Sequence, residues 1–221
     1  MHEASIDDVI VQFAGLGVTT ISDALDRLGI DGQCFGIRPL DYRFRICGRA
    51  FTVLMRPVAQ AKGTVGDFID DVSPGQVVAI DNGGRLDATV WGDILTLAAS
   101  RRGIGGTVID GVCRDSRRSL ELSYPIFSRG VYMRTGKDRV QADAYQVAVT
   151  IGGVRVEPGD VLVGDADGVV VVPRSREEEV LAAAKEIAEA EDRIKEAVRQ
   201  GLRLDEARRQ FGYFQLQRRR E

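Results

Sequence analysis

Residues 77–116, VVAIDNGGRLDATVWGDILTLAASRRGIGGTVIDGVCRDS, constrain the fold more than any other stretch of the chain. Val77–Ile80 is four apolar residues running unbroken into Asp81-Asn82-Gly83-Gly84, which predicts a short buried strand ended by a turn. Thr107-Val108-Ile109 predicts a second strand. Between them, residues 93–102 fit a helix, with Asp93 at its start, Arg101 and Arg102 in its last turn and Gly103 just beyond. Strand, helix and strand make a βαβ unit, whose parallel strands end on one edge. The loops after Ile80 and Ile109 are therefore expected to share a crevice holding Asp81, the 92–95 turn, Arg114 and Asp115.

Those groups suggest one chemistry. Backbone N–H groups around Gly92, Asp93, Ile94 and Leu95 can hold an anion at the helix start, and Arg114 can grip a carboxylate through two parallel hydrogen bonds. Asp115 is a hard oxygen ligand suited to Mg²⁺ or Mn²⁺, which keep several waters and bind through one or two carboxylates. A carboxylate clamp beside a metal ligand describes a site for a 2-oxo acid.

Gly92-Asp93, a gap, and then Asp110-Gly111-Val112-Cys113-Arg114-Asp115 resemble the signature of the RraA-like family, which includes class II 4-hydroxy-4-methyl-2-oxoglutarate aldolases. The similarity extends to Thr20–Leu25, Gly48–Val53 and Asp167–Pro173. The resemblance implies a layered β/β/α architecture of the swivelling type and a trimer or pair of trimers. It also implies a C-terminal-helix glutamate lent to a neighbouring subunit's site. The family contains non-catalytic ring proteins as well, such as the regulator of ribonuclease E.

Composition narrows the alternatives. With 221 residues and 44% hydrophobic content, the chain can bury a core as one domain spanning 1–221, with 175–221 as a C-terminal helix and packing arm. A net charge of −3 gives no general attraction to nucleic acid. No apolar run approaches the roughly 18 residues that span a bilayer, and no basic-then-apolar leader opens the sequence, so a cytoplasmic protein is expected. The single histidine, His2, lies too near the terminus to serve a catalytic triad. Cys34, Cys47 and Cys113 are odd in number and widely spaced, which supports neither a disulfide framework nor a zinc knuckle. Cys113 beside Arg114 has no base to make it a nucleophile and reads as a partly buried strand-end residue. Gly103, Gly105 and Gly106 follow a helix and precede a strand, the reverse of a dinucleotide loop.

Elsewhere the pattern predicts helices over 5–16, from a Thr20–Asp23 cap to Gly29, and over 63–71. A strand is expected at 50–55 and at 125–127, and a half-buried antiparallel strand at 146–151. Glu157–Asp160 reads as a turn, followed by strands at 161–163 and 169–172. A β-rich C-terminal half argues against a uniform doubly wound repeat. Ser175 with Glu178 reads as the capping box of a helix over 176–200, whose apolar stripe Val180, Ala184, Ile187, Ile194, Val198 is interrupted by Glu191. A carboxylate in that position needs a partner, which makes Glu191 the candidate to reach a neighbouring active site, with Glu186 and Glu189 as alternatives. Lys62 and Gly130–Arg134 are expected to influence substrate choice. The tail, with Phe211, Tyr213, Phe214 and Arg218–Arg220, reads as a subunit-packing arm rather than an RNA contact.

The functional expectation is a divalent-metal-dependent lyase acting on a small 2-oxo acid. Asp115 is the metal ligand, Arg114 the carboxylate clamp, the Gly92–Leu95 amides orient the substrate, and Asp93 with Glu191 handles the proton. A non-catalytic ring protein that binds a ribonuclease or other partner is the alternative.

Overall fold

The structure, a computed structural model, describes residues 7–59, 63–213 and 216. His2, Lys62, Phe214 and Arg218–Arg220 lie outside the described residues. Helices α1 (Asp8–Ala14) and α2 (Val18–Leu28) come first, then β1 (Arg38–Pro39) and the long strand β2 (Ile46–Pro57). The predicted βαβ unit follows as β3 (Val77–Thr89), α3 (Asp93–Arg101) and β4 (Gly106–Cys113), continued by α4 (Ser116–Glu121) and β5 (Ile126–Val131). The β-rich half contains β6 (Val140–Tyr145), β7 (Val149–Ile151), β8 (Val154–Val156), β9 (Val161–Asp165) and β10 (Gly168–Val172). Helices α5 (Glu177–Arg199) and α6 (Leu204–Gln210) close the chain.

The main sheet runs β1-β5-β4-β3-β2-β9-β10. Its centre, from β2 through β3 and β4 to β5, is parallel, and its flanks are antiparallel. β2 changes partner along its free edge, pairing β9 over Ile46–Arg49 and β6 over Val53–Pro57. The result is the mixed, layered α/β arrangement expected, with a long C-terminal helix.

Strand alternation explains the layers. Val78, Ile80 and Ile109 face one way, into a core with Phe68, Trp91, Ala99 and Tyr124 under α3. Val77, Ala79 and Val108 face the other way, against Ile151 and Val156 of the β7–β8 hairpin and Leu162, Val169 and Val171 of β9 and β10. Val161, Val163, Val170 and Val172 then use their opposite face to pack on α1, α2 and α5. β4 is buried at all eight positions, as a central parallel strand covered on both sides should be.

Several local expectations are corrected. β3 does not stop at Ile80: Gly83 and Gly84 adopt positive φ, and the strand continues through register shifts to Thr89. The Asp81–Gly84 turn signal is thus an irregularity inside a strand, permitted by two glycines that carry no Cβ penalty. α2 starts at Val18, not after a Thr20 cap; the Val18 N–H donates to Asp165 Oδ2 at 3.1 Å, so a distant carboxylate does the capping. Asp23 is therefore a mid-helix residue. The predicted 63–71 helix is a 3₁₀ turn over Asp67–Asp71. The predicted 146–151 strand breaks because Gln146 takes φ 52°, leaving β6 and β7 on either side. A 3₁₀ turn at Arg174–Arg176 precedes α5, whose N-cap is Arg176 without a side-chain bond, so Ser175 caps nothing. The tail packs on itself in part, Arg208 lying 4.7 Å from the Tyr213 ring centroid. Among the described residues, no single helix is long and apolar enough to cross a membrane.

Candidate active site

The C-terminal ends of β3 and β4 bring together the two halves of the motif. Trp91 O accepts the Arg114 N–H at 2.9 Å, which ties the segment leading into α3 to the end of β4. Gly92 is the N-cap of α3, and the backbone comes so close to the second motif there that a Cβ would lie 2.8 Å from Asp115 Oδ2 and 3.2 Å from Arg114 Nε. Only glycine fits. Asp115 itself sits in the left-handed region, φ 55° and ψ 35°, at the entry to α4. Asp tolerates that conformation better than most residues.

Within this corner Asp115 Oδ2 accepts from Asp93 N at 3.2 Å and lies 3.3 Å from Arg114 Nε. Asp93 Oδ1 in turn accepts from Ile94 N at 2.9 Å. Two of the amides expected to await a substrate anion are therefore already engaged by the chain's own carboxylates, a correction to the idea of an open helix start. With Nε 3.3 Å from Asp115 Oδ2, a two-pronged grip by Arg114 would use its terminal nitrogens. Arg114 and Asp115 are 39% and 40% exposed, so both can meet a ligand without a large desolvation cost.

Gly92, Asp93, Ile94, Leu95 and Arg114 line a cavity of about 470 Å³, walled on its apolar side by Val58, Val65, Val90 and Trp91. Asp115 stands at its edge, joined to it through Arg114 and Asp93. The far rim is Thr135, Lys137 and Asp138, a turn that closes when Val140 N–H donates to Gly136 O at 2.9 Å. Sequence reasoning missed this rim and pointed instead to Gly130–Arg134, which are not among the lining residues. The bridge between Thr89 and Thr135 carries the turn to the cavity. The Thr135-Gly136-Lys137-Asp138 string, a turn signal holding a cation, was the clue available.

Asp81 is not in this crevice. Its Oδ1 accepts from Gly83 N at 2.8 Å and its Oδ2 from Thr150 N at 2.9 Å, so it holds the β7–β8 hairpin instead. Cys113 is fully buried and burial pushes its thiol up to about 11, which leaves it a packing residue. Glu186 pairs with the buried Arg27 at 2.8 Å, and Glu189 lies 3.9 Å from Arg193. Glu191 is 26% exposed and 3.4 Å from Lys195. α5 packs on α1 and α2, in a core separate from the one beneath α3, and Glu191 is not among the residues that line the Arg114 cavity.

The site's oxygen donors suit a hydrated divalent ion. Among the described residues no group of three or more His, Cys, Asp or Glu side chains is placed to cage a metal. Asp115, with Asp93 beside it, could supply the one or two carboxylates that Mg²⁺ or Mn²⁺ needs when waters and substrate oxygens complete the shell.

The profile of the RraA-like family, described as Aldolase/RraA, matches residues 18–171. The chain belongs to the RraA-like family. This RraA-like chain is 39% identical over 197 residues to a protein of Halalkalibacterium halodurans named "putative 4-hydroxy-4-methyl-2-oxoglutarate aldolase", covering 89% of this chain and 90% of that one. It is also 39% identical over 215 residues to protein DlpA of Legionella pneumophila, covering 96% of this chain but only 35% of DlpA's length. Among solved structures it resembles an uncharacterized protein from Pseudomonas syringae, with TM-score 0.85, 43% identity, and coverage of 91% of this chain and 96% of that chain. Streptomyces coelicolor RraAS2, described as an unusual member of the RNase ES inhibitor RraA family, follows with TM-score 0.79, 30% identity, and coverage of 86% and 96%. RraA-like relatives thus carry names of both kinds, lyase and inhibitor.

Proposed function

We propose that this protein is a divalent-metal-dependent lyase that cleaves a carbon–carbon bond next to a 2-oxo acid, by retro-aldol cleavage of 4-hydroxy-4-methyl-2-oxoglutarate-type substrates, by decarboxylation of oxaloacetate, or both. The observation that carries this reading is the meeting of Arg114, Asp115 and the start of α3 at one cavity edge, all within hydrogen-bonding reach. Asp115, with Asp93 adjacent, would hold Mg²⁺ or Mn²⁺, which when bound supplies a Lewis acid for the keto oxygen. Arg114 binds the substrate carboxylate and adds positive charge where the enolate develops. Trp91, Ile94 and Leu95 line the apolar side of the cavity, against which the reacting carbons would lie. In decarboxylation the C3–C4 bond electrons move onto the keto oxygen as an enolate while carbon dioxide departs. A proton delivered to C3, through water held near Asp93, then completes pyruvate. Lys137, which lines the same cavity, would meet a second carboxylate of a diacid.

Oxaloacetate decarboxylation followed with Mg²⁺, with and without chelator, tests the reading. Turnover above the free-metal background that chelation removes is the expected result; absence of turnover on both oxaloacetate and 4-hydroxy-4-methyl-2-oxoglutarate sinks it. That second outcome favours the inhibitor-like alternative, which the similarity to RraAS2 supports.

The same reading includes assembly into a trimer or a pair of trimers, with Glu191 completing a neighbour's site. Leu86 at 59% exposed, Val131 at 53% and Met133 at 76%, near the outer ends of β3 and β5, offer apolar surface for such contacts. Mixing Asp115→Asn with Glu191→Ala after dissociation should restore part of the activity, because some interfaces receive an intact residue from each parent. No recovery removes Glu191 from the shared site.

A further inference from the structure

Trp91 is the chain's only tryptophan, and it is buried with both polar ends committed to the site. Its indole Nε1–H donates to Thr96 Oγ1 at 3.0 Å, and Thr96 Oγ1 donates to Gly92 O at 2.9 Å. The Thr96 backbone N–H reaches the same Gly92 O at 3.0 Å, while the Trp91 carbonyl accepts from Arg114 N. On its other side the indole lies parallel to Tyr124, with centroids 6.1 Å apart, and the Tyr124 hydroxyl pairs with Thr107 Oγ1 at 2.9 Å.

A threonine hydroxyl bonding back to the carbonyl one turn earlier is common in helices and gains little by itself. Here the same oxygen also accepts from the indole, so its donor and an acceptor position are both used, and Thr96 is only 1% exposed. The far end of the relay is Gly92, where an added Cβ would lie 2.8 Å from Asp115 Oδ2. Its neighbour's amide, Asp93 N–H, is 3.2 Å from Asp115 Oδ2, already at the long end of hydrogen-bond range. A drift of about half an ångström at Gly92 breaks that bond and frees the Asp115 carboxylate from one of its two anchors.

We propose that Thr96 is a positioning residue of the metal site: by clamping the Trp91 indole to the Gly92 carbonyl it fixes the Asp93 amide, and through it the orientation of Asp115. Thr96 itself touches neither ion nor substrate. This deepens the metal-dependent reading above and rests on it. Partners that orient a ligating carboxylate usually affect metal affinity by about 10- to 100-fold.

The test uses Mn²⁺ as the probe and reads the free-ion electron paramagnetic resonance signal, which depends on neither turnover nor tryptophan fluorescence. Thr96→Val preserves shape and removes the hydroxyl, and should weaken Mn²⁺ binding about 10-fold or more. Thr96→Ser keeps the oxygen and should stay within about threefold of wild type. Trp91→Phe deletes the indole donor without stranding a buried polar group, and covers the case in which Thr96→Val does not fold; it should also weaken binding, by at least about threefold. Mn²⁺ affinity equal to wild type in Thr96→Val, or in Trp91→Phe where the valine variant does not fold, overturns the positioning role while leaving the metal site standing. Failure of Thr96→Ser to rescue overturns it too. A wild-type protein that binds no Mn²⁺ overturns the metal-dependent reading itself, and the role of Thr96 falls with it.

Discussion

Two acid–arginine pairs stand at the two ends of one short segment, and they do different work. Asp110, inside β4, is 7% exposed; Arg129 Nε donates to its Oδ1 and Gly152 N to its Oδ2, the latter at 3.1 Å. Both oxygens are used, so the pair fastens the β7–β8 hairpin onto the sheet. Asp115, five residues on, is 40% exposed, and its hydrogen bond from Asp93 N and its ion pair with Arg114 both fall on Oδ2. The residue types are the same and the positions only five apart; burial and saturation separate them. A carboxylate whose oxygens are filled by the fold has nothing left for a ligand, whereas one held by a single oxygen on a left-handed residue at a cavity edge does.

Substituting each acid by its amide isolates the difference. Asp115→Asn keeps the shape and removes the charge, and should lower metal-dependent turnover by about 10³-fold, since Lewis-acid stabilisation is worth several kcal/mol. Its unfolding midpoint should hardly move. Asp110→Asn should show the reverse, a loss of about 3 kcal/mol in denaturant unfolding because a buried pair is broken and Arg129 is left behind, with turnover per folded molecule close to wild type. If the two variants show similar losses of stability, the contrast between a structural and a functional pair is wrong.

The sequence made one pair far more legible than the other. Val77–Ile80, the Asp93 helix start and Thr107–Ile109 carry strong periodicity, so the βαβ unit and its crevice could be read directly, and Gly92, Arg114 and Asp115 meet where that unit predicts. Asp110 lies between the same landmarks, yet its partners, Arg129 and the Gly152 amide, are 19 and 42 residues away and share no local pattern with it. Asp81 was misplaced for a related reason. A turn signal with two glycines looks the same whether the chain reverses or a strand bulges, and only the pairing with β4 distinguishes them. The caps at Thr20 and Ser175 failed because capping can be supplied from outside the helix, as Asp165 does for α2, or omitted. The Lys137 rim stayed hidden because what brings it to the cavity is long-range: the bridge between Thr89 and Thr135, the Thr89 bonds to Arg134 O and the Val58 N–H bond to Arg139 O.

The smallest effect concerns the backbone beneath Asp115 and decides which variant is a clean probe of the functional pair. At φ 55° a Cβ-bearing residue without a helpful side chain is strained by about 1 kcal/mol, and Ala has no oxygen to accept the Asp93 N–H. Asn retains both the tolerance for this conformation and an acceptor oxygen. Gly loses the acceptor but relieves the strain. Asp115→Ala is therefore expected to be the least stable of the three, about 1 kcal/mol below Asp115→Gly and somewhat further below Asp115→Asn, while all three lack metal-dependent activity. Denaturant midpoints with unchanged slopes measure this order. Should alanine match or exceed glycine, the left-handed geometry at residue 115 carries no strain, and the ease of exchanging this residue would no longer distinguish it from Asp110 on the extended strand.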